Sequence, residues 1–319
     1  MKKLLLKLFF FAMPFIILAL IILRVDPYNY FSYDPQKAII KKYIAHKVNY
    51  ALWKLIEYRR DPQPNILLGD SQMGRLKSED IQKIAGVEYY NFSYGGGTLP
   101  EMINTFWFAA ERTQLKNVYF GISFNHFNMH NDAKDRVTST RQMMENPLLY
   151  LVNRNVLRAT ILIIRDRLTE KSSQIEQPSM TREKFWNYNL NVPTKRYYAN
   201  YKYPKKWYSG LQQISEFCRN NDINFRVLIL PTHTQLQAKV HEYGLSQEYE
   251  VYLEDLGKLA EMYDFNIKSQ WTEDKNNFED PHHFKSGLAR EVIRKIWGEK
   301  KLGFESQVKV TFPVARHFE

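Results

Sequence analysis

The chain has 319 residues, of which 44% are hydrophobic and 15% aromatic, a composition that can fill a sizeable core and excludes an intrinsically disordered protein. Its formal net charge of +11 suits an anionic partner such as a nucleic acid, a phospholipid surface or an acidic polymer. No nucleic-acid-binding motif accompanies this charge, so no nucleic acid is expected as a partner. Cys218 is the only cysteine, which excludes an intramolecular disulfide.

An apolar segment near the N-terminus is the first predicted element. Leu4 to Leu23 are interrupted only by Lys7 and follow Lys2-Lys3, and their length is close to the roughly 20 residues that span a bilayer. No small-x-small cleavage site follows, which favours an uncleaved anchor over a signal peptide. The N-terminal lysines predict that this end stays inside, although basic residues at 37–47 weaken the bias. A buried core helix is the alternative.

Residues 66–71, Ile-Leu-Leu-Gly-Asp-Ser, are typical of a buried strand that runs into a turn. The next stretch, Gln72 to Ala85, is typical of a helix. Ser71 is therefore expected at the carboxyl end of a strand and beside the positive end of a helix, where doubly wound sheets place their active sites. Asp70 or Ser71 could equally be an N-cap residue of that helix.

Two more predicted strands end in loops of interest. Residues 87–93 predict a strand that breaks at Tyr94-Gly95-Gly96-Gly97-Thr98, where glycines allow backbone N–H groups to approach an oxyanion. Residues 117–124 predict the next strand, after which the amide of Asn125 could donate to the same oxyanion. A flexible turn and a strand-end cap are the respective alternatives.

Residues 126–204 are too many for an ordinary connection between a strand and a helix. Arg154, Arg158 and Arg165 exclude a second conventional transmembrane span in this stretch, which also contains a polar run at 170–179. We expect a mostly helical insertion that caps the site. Its aromatic and basic side chains could bind sugars and acidic groups, form the core of the insertion, or face the membrane.

The remaining chain alternates between predicted helices at 99–113, 207–220, 247–263 and 286–300 and predicted strands at 224–231 and 265–268. This alternation predicts an α/β fold with a parallel sheet and right-handed crossovers. Cys218 lies in an amphipathic helix pattern and is expected to be a small buried hydrophobe. Because no Cys/His spacing typical of a metal site occurs, we predict neither a metal nor a cofactor.

The segment Asp280-Pro281-His282-His283 supplies a carboxylate and two imidazoles in one predicted loop. A histidine oriented by a carboxylate can act as the base for a serine hydroxyl, so this segment and Ser71 could build one site. The alternatives are an ordinary turn that begins at Asp280-Pro281 and solvated loop histidines.

In this order, the Ser, Gly, Asn and Asp-x-x-His segments resemble the four blocks of the SGNH (GDSL-like) hydrolase superfamily over roughly residues 60–300. The resemblance implies a three-layer, flavodoxin-like α/β fold with a parallel sheet. It also implies that Ser71 is the nucleophile, His283 the base and Asp280 the residue that orients the base.

The same resemblance implies that Gly96 and Asn125 are oxyanion donors together with the backbone N–H of Ser71. His282 is an alternative base, because some membrane-associated members of the superfamily have a tighter Asp-x-His spacing. The chain departs from the usual blocks at Gln72, where a leucine is common, and at the sequence 123–126, Ser-Phe-Asn-His.

The layout of an anchor, a short segment at 26–31 and an SGNH-like domain is similar to that of extracytoplasmic proteins that work with membrane-bound O-acyltransferases in alginate O-acetylation or teichoic acid D-alanylation. It implies a single-pass protein of a bacterial cytoplasmic membrane with its domain outside. The implied activity is that of a serine O-acyltransferase or esterase that forms an acyl-enzyme on a cell-envelope polysaccharide. A membrane-bound O-acyltransferase and membrane lipid are the other implied partners. A non-catalytic binding or assembly protein of a glycan-export or O-acylation complex is the alternative.

These expectations divide the chain into a transmembrane anchor at 1–25, a membrane-proximal segment at 26–60, an SGNH-like domain at 61–300 that contains the 126–204 insertion, and a C-terminal tail at 301–319.

Overall fold

The computed structural model describes residues 2–131, 135–169, 180–298 and 308–313. The chain divides into two compact units, the first formed by Met1–Asp61 and Arg136–Gln177 and the second by Pro62–Asp135 and Pro178–Glu319. The predicted polar run at 170–179 lies outside the described residues, as does the predicted tail at 301–319 except for residues 308–313.

The secondary structure of the described residues is mostly helical. The helices are α1 (Lys2–Val25), α2 (Pro35–Val48), α3 (Tyr50–Arg60), α4 (Ser78–Ala85), α5 (Leu99–Ala110), α6 (Arg136–Glu145), α7 (Pro147–Leu151), α8 (Arg154–Thr169), α9 (Arg182–Tyr198), α10 (Lys205–Asn220), α11 (Thr234–Glu242), α12 (Ser246–Leu259), α13 (Gln270–Glu273) and α14 (Ser286–Trp297). The strands are β1 (Asn65–Leu68), β2 (Tyr90–Asn91), β3 (Asn117–Gly121), β4 (Asn224–Ile229), β5 (Glu261–Asp264) and β6 (Lys309–Thr311). Short 3-10 helices cover Met73–Arg75, Phe124–His126 and Lys275–Asn277.

Helix α1 has a mean hydropathy of 2.7 over its most apolar window and is long enough to cross a membrane. Its side chains are nearly all exposed, which disfavours the alternative of a buried core helix. A signal sequence near the N-terminus satisfies the same criteria of length and hydropathy. The helix ends at Val25, which packs against Ile44 of α2 and Ile163 of α8 within the first unit.

The loop after α1 is organised around the buried carboxylate of Asp26. Its Oδ1 accepts hydrogen bonds from the backbone N–H of Tyr30 at 2.8 Å and from the hydroxyl of Tyr150 at 3.1 Å. Its Oδ2 accepts the backbone N–H groups of Phe31 and Ser32, each at 3.0 Å. These four bonds fix the chain at the point where it leaves α1.

The second unit contains a six-stranded sheet in the order β2-β1-β3-β4-β5-β6. Strands β1 to β5 are parallel, and β6 pairs with β5 in the antiparallel sense. The predicted α/β fold with a central parallel sheet is thus confirmed. The order of its parallel strands, β2-β1-β3-β4-β5, also occurs in flavodoxin-like sheets. Because the strands are parallel, the loops after β1, β2 and β3 leave the sheet at the same edge.

Several predicted boundaries are wrong. The predicted helix from Gln72 is interrupted at Leu76, which is extended, so that a 3-10 turn precedes α4. The predicted helix at 247–263 ends at Leu259, and the strand predicted at 265–268 covers Glu261–Asp264 instead. Residues 261–264 pair with β4, and this sheet pairing overrides their local helix propensity.

The stretch 126–204 is divided between the two units. Helices α6, α7 and α8 belong to the first unit, where α6 packs on α3 and α8 packs on α1 and α2. Helix α9 belongs to the second unit and packs on α11. Both ends of the stretch therefore contribute to the surroundings of Ser71: His126 and Asn131 at its start, and α9 near its end.

Candidate functional site

Ser71 lies in the turn that follows β1. The buried strand residues Ile66, Leu67 and Leu68 lead into Gly69 and Asp70, and the 3-10 helix begins two residues after Ser71. Oδ1 of Asp70 accepts the backbone N–H of Gln72 at 2.8 Å, which closes the turn. The hydroxyl of Ser71 is therefore held at the carboxyl edge of the sheet, as the sequence predicts.

The loop 280–283 brings an imidazole to this hydroxyl. Oγ of Ser71 lies 2.7 Å from Nε2 of His283, and Nδ1 of His283 lies 2.8 Å from Oδ2 of Asp280. Oδ1 of Asp280 also accepts the backbone N–H groups of His282 at 2.9 Å and His283 at 3.1 Å. In this network Nδ1 of His283 donates to the carboxylate, which leaves Nε2 to accept the proton of the hydroxyl.

The surroundings raise the pKa of His283 and lower the pKa of Asp280, the directions that a base and its carboxylate partner require. Burial alone would lower the pKa of His283, but its hydrogen bond to the Asp280 carboxylate and the charge of that carboxylate raise the pKa above its ordinary value. Burial alone would raise the pKa of Asp280, but the hydrogen bond and charge of His283 and the backbone hydrogen bond from His282 together outweigh it, so the pKa is lowered. Asp280 therefore stays ionised, and His283 is a stronger base than a free histidine.

His282 has a different set of contacts. Its Nε2 lies 3.2 Å from the backbone carbonyl oxygen of Asn189, and its own carbonyl accepts the Nε2–H of Gln72 at 2.7 Å. Burial lowers the pKa of His282. Nε2 of His282 donates to a carbonyl here, so the hydroxyl of Ser71 donates its hydrogen bond to His283 and not to the alternative base.

A second contact joins the serine turn to the histidine loop. The guanidinium of Arg75 forms two parallel hydrogen bonds with the carboxylate of Glu279, at 2.7 and 2.6 Å. This bidentate ion pair and the hydrogen bond from Gln72 to His282 hold the serine turn and the histidine loop in a fixed relative position.

The glycine loop approaches the serine turn closely. A Cβ atom at Gly97 would lie 2.9 Å from the carbonyl oxygen of Gly69, so only glycine fits there. Gly96 has a φ of +59°, a left-handed conformation that glycine adopts without strain. Gly96 lines the same cavity as Ser71.

Asn125 lies in the 3-10 helix after β3 and lines that cavity as well. Its Oδ1 accepts a short hydrogen bond from the hydroxyl of Ser123, and its backbone carbonyl accepts the Nδ2–H of Asn131 at 2.8 Å. Because Oδ1 is the acceptor in the first bond, the amide Nδ2–H₂ remains for an incoming group.

His126 and Asp70 form a second imidazole–carboxylate pair, which the sequence reasoning missed. Nε2 of His126 lies 3.2 Å from Oδ2 of Asp70, and Nδ1 accepts the backbone N–H of Ser123 at 3.2 Å. Burial alone would raise the pKa of Asp70, but the charge and hydrogen bond of His126, together with the backbone hydrogen bond from Gln72 and the charge of His283, lower it below its ordinary value. Because His126 directly follows the predicted site residue Asn125, its place in the sequence is the one indication that it lies near Ser71.

The cavity around Ser71 has a volume of about 130 Å³. Besides the predicted residues, Asn189, Pro193 and Tyr197 of α9 line it. The sequence predicts this helix only as part of the 126–204 insertion over the site. Its position here follows from contacts such as the 2.6 Å hydrogen bond from Nδ2 of Asn128 to the carbonyl oxygen of Tyr197.

A larger cavity of about 540 Å³ adjoins the first, and Asn125 and His282 line both. Its walls include apolar residues from β4 and α11, such as Ile229 and Leu236, and polar residues such as Gln237. Space for a substituent larger than a few atoms therefore exists beside Ser71. Among the residues the structure describes, no group of three or more His, Cys, Asp or Glu side chains could hold a metal ion.

No protein-family profile and no curated protein matches this chain. Among solved structures, one from Streptococcus pneumonia named as a platelet activating factor aligns at 12% identity and a TM-score of 0.41, covering 83% of this chain and 99% of its own. Another from Bacteroides fragilis, named as an acylhydrolase, aligns at 10% identity and a TM-score of 0.36, covering 79% and 98%. Any assignment of the site therefore rests on its own geometry.

Proposed function

We propose that the chain is a serine acylesterase or O-acyltransferase with an SGNH-like, three-layer fold. The observation that carries the proposal is the hydrogen-bonded triad of Ser71, His283 and Asp280. Oγ of Ser71 lies 2.7 Å from Nε2 of His283, and Nδ1 of His283 lies 2.8 Å from Oδ2 of Asp280. Such a triad activates a hydroxyl as a nucleophile, because the imidazole can accept its proton while the carboxylate stabilises the resulting imidazolium.

In the proposed reaction, Nε2 of His283 takes the proton of Ser71 while Oγ attacks the carbonyl carbon of an ester. The negative charge that develops on the carbonyl oxygen is stabilised by the backbone N–H groups of Ser71 and Gly96 and by the amide of Asn125. The proton on His283 then passes to the departing alkoxide, and the acyl group remains on Ser71 as an ester.

The second half of the cycle uses the same groups. His283 takes a proton from water or from a sugar hydroxyl, whose oxygen attacks the acyl-enzyme, and Ser71 regains its hydroxyl hydrogen when the acyl group leaves. Water completes an esterase cycle, and a sugar hydroxyl completes a transferase cycle. The 540 Å³ cavity beside Asn125 supports an acyl or acceptor group of substantial size.

We further propose that the domain acts outside a bacterial cytoplasmic membrane, anchored by α1 with its N-terminus inside. The length and hydropathy of α1 and the lysines that precede its apolar run support this topology. The substrate class that fits this location is an O-acylated cell-envelope polysaccharide, and a membrane-bound O-acyltransferase is the proposed partner.

A fluorophosphonate probe tests the nucleophile directly, since it forms a covalent bond only with an activated serine. We expect labelling of the full-length protein in detergent and its loss in Ser71→Ala. Ser209→Ala is the matched control, because Ser209 is exposed on α10 and is distant in sequence from Ser71, Asp280 and His283. Unlabelled wild-type protein would support the non-catalytic alternative of a binding or assembly protein.

Release of acetate from an acetylated polysaccharide, with and without a second glycan as acceptor, separates the two enzyme classes. An esterase releases acetate at the same rate in both conditions. A transferase moves the acyl group to the acceptor glycan, which mass spectrometry of the glycan detects.

A further inference from the structure

The first unit contains a cavity of about 330 Å³ that the proposed chemistry does not use. It is lined by residues of the loop after α1 and by residues of α3: Asn29, Tyr30, Phe31, Ser32, Tyr33, Ile56, Arg59 and Arg60. The charged side chains that line this cavity are therefore the guanidinium groups of Arg59 and Arg60.

These two arginines are not neutralised by carboxylates among the residues the structure describes. Nη2 of Arg60 donates to the backbone carbonyl of Asn29 at 2.7 Å, and its guanidinium lies 4.0 Å from the ring centre of Tyr33. Arg59 makes two long contacts of 3.5 Å with the backbone carbonyls of Met144 and Tyr30. Most of their five N–H donors each remain for a ligand.

The surroundings add further donors and positive charge. Nζ of the buried Lys41 donates to Oδ1 of Asn29 at 2.8 Å, so the amide orientation of Asn29 is fixed. Burial lowers the pKa of Lys41; the Asp26 carboxylate opposes this shift, and the positive charges of Arg167 and Lys37 add to it. The one buried carboxylate in this loop, Asp26, is already saturated by three backbone N–H groups and the hydroxyl of Tyr150. A ligand with several acceptor oxygens and a negative charge complements this site.

The cavity also lies close to the end of the apolar helix. Val25, the last residue of α1, is packed against α2 and α8, and the cavity wall begins four residues later at Asn29. Phe31 and Tyr33 in that wall are exposed, and tyrosine is one of the two residue types that membrane proteins concentrate at the headgroup level. Leu148 and Leu149 of α7, a helix that contacts α1, are exposed apolar side chains of the same unit.

We propose that this cavity binds the phosphate group of an anionic phospholipid headgroup, with Arg59 and Arg60 as the principal contacts. The proposal rests on the membrane anchoring inferred above but not on the chemistry of Ser71. The bound lipid would fix the first unit against the bilayer surface, because the unit would then be attached to the membrane both by α1 and by the headgroup in the cavity.

The test uses the full-length protein purified in mild detergent and exchanged into nanodiscs of phosphatidylcholine with one part in five of phosphatidylglycerol. Native mass spectrometry after gentle removal of the disc counts the lipids that stay bound to each chain. We expect one retained phosphatidylglycerol per wild-type chain and about tenfold less in Arg59→Gln/Arg60→Gln, because both charge and bidentate geometry are lost. Arg290→Gln is the matched control, since Arg290 is an exposed arginine of α14 in the second unit.

Arg60→Gln alone guards against misfolding, because Arg60 is exposed and its loss leaves the core intact. It should also reduce retention, and Arg60→Lys should restore part of it. Equal retention of phosphatidylcholine and phosphatidylglycerol, or unchanged retention in the double variant, would overturn the proposal. Saturable, arginine-dependent binding of inorganic phosphate without preferential lipid retention would overturn the lipid assignment.

Fluorophosphonate labelling of the same samples separates this proposal from the proposed function. Labelling that persists while lipid retention fails sinks the lipid site alone. A chain that purifies without detergent would remove the anchor and the lipid site together, and leave the reactivity of Ser71 to be judged by its own labelling.

Discussion

Oγ of Ser71 lies 2.7 Å from Nε2 of His283, although 212 positions separate the two residues in the sequence. Two contacts beside this pair, from Gln72 to the carbonyl oxygen of His282 and from Arg75 to Glu279, hold the same two segments together. The pair is thus supported on one side by the sheet edge and on the other by a loop that is fixed to it.

The shared role of Ser71 and His283 predicts strongly non-additive losses. Ser71→Ala and His283→Ala should each remove nearly all esterase activity, and the double variant should be little worse, because the two groups act as one unit. The measurement is kcat/KM on an activated acetyl ester. Full activity in His283→Ala with loss in His282→Ala would move the base to His282.

The pH dependence follows from the raised pKa of His283. The base must be neutral to accept a proton, so kcat/KM should fall as pH decreases, with a midpoint above the ordinary histidine value of 6.5. In Asp280→Asn the negative charge that raises this pKa is gone, so the midpoint should move to lower pH. Its activity at the plateau should fall by about 10⁴-fold, because the imidazole is then held in the wrong tautomer. An unchanged midpoint in Asp280→Asn would contradict the assignment.

Asn125 and His126 are neighbours with different predicted effects. Asn125→Ala should lower kcat by roughly 10²-fold to 10³-fold, as loss of one oxyanion donor does, with little change in stability. His126→Phe should lower the free energy of unfolding by about 2 kcal/mol, because the buried Asp70 carboxylate loses a hydrogen bond. It should also lower activity, since Ser123 and with it Asn125 lose their support. Urea unfolding and kcat measured on both variants check the contrast; equal loss of stability in the two variants would refute it.

Gly97 offers a test of the close approach between the glycine loop and the serine turn. In Gly97→Ala the added Cβ would meet the carbonyl oxygen of Gly69 at 2.9 Å, which a backbone cannot avoid by a rotamer change. We expect a loss of about 1–3 kcal/mol in unfolding free energy, and a loss of activity. Gly287→Ala is the control, because nothing lies within 4 Å of its added Cβ. This change in α14 should be neutral or stabilise by about 0.5–1 kcal/mol.

The proposed anchor predicts the behaviour of the chain in cell fractions. The protein should stay at full length, resist extraction by carbonate or high salt, and require detergent for release, because α1 is long and apolar enough to span the bilayer. The residues from about Asp26 onward should be digested by protease added outside the cytoplasmic membrane. A soluble product that begins near Val25 would instead indicate a cleaved signal peptide, and a protected domain would reverse the orientation.

Several features of the fold depend on short-range sequence patterns and are predictable from them. The apolar run before Arg24, the buried strand that leads to Ser71 and the glycines at 95–97 all follow from composition and spacing over a few residues. The alternation of strands and helices also determined a parallel sheet, because parallel neighbours require crossover connections. Strand ends were less predictable, since residues 261–264 form a strand through their pairing with β4.

Which side chains meet in the site depends on packing between segments that are distant in the sequence. Both His282 and His283 are compatible with the sequence, and the choice depends on whether the carbonyl oxygen of Asn189 or the hydroxyl of Ser71 lies beside each ring. The pairing of His126 with Asp70 and the separation of α6–α8 from α9 depend in the same way on packing between distant segments. Hydrogen bonds and side-chain contacts act over a few ångströms in space, so residues far apart in the chain are selected as partners only when the whole unit has folded.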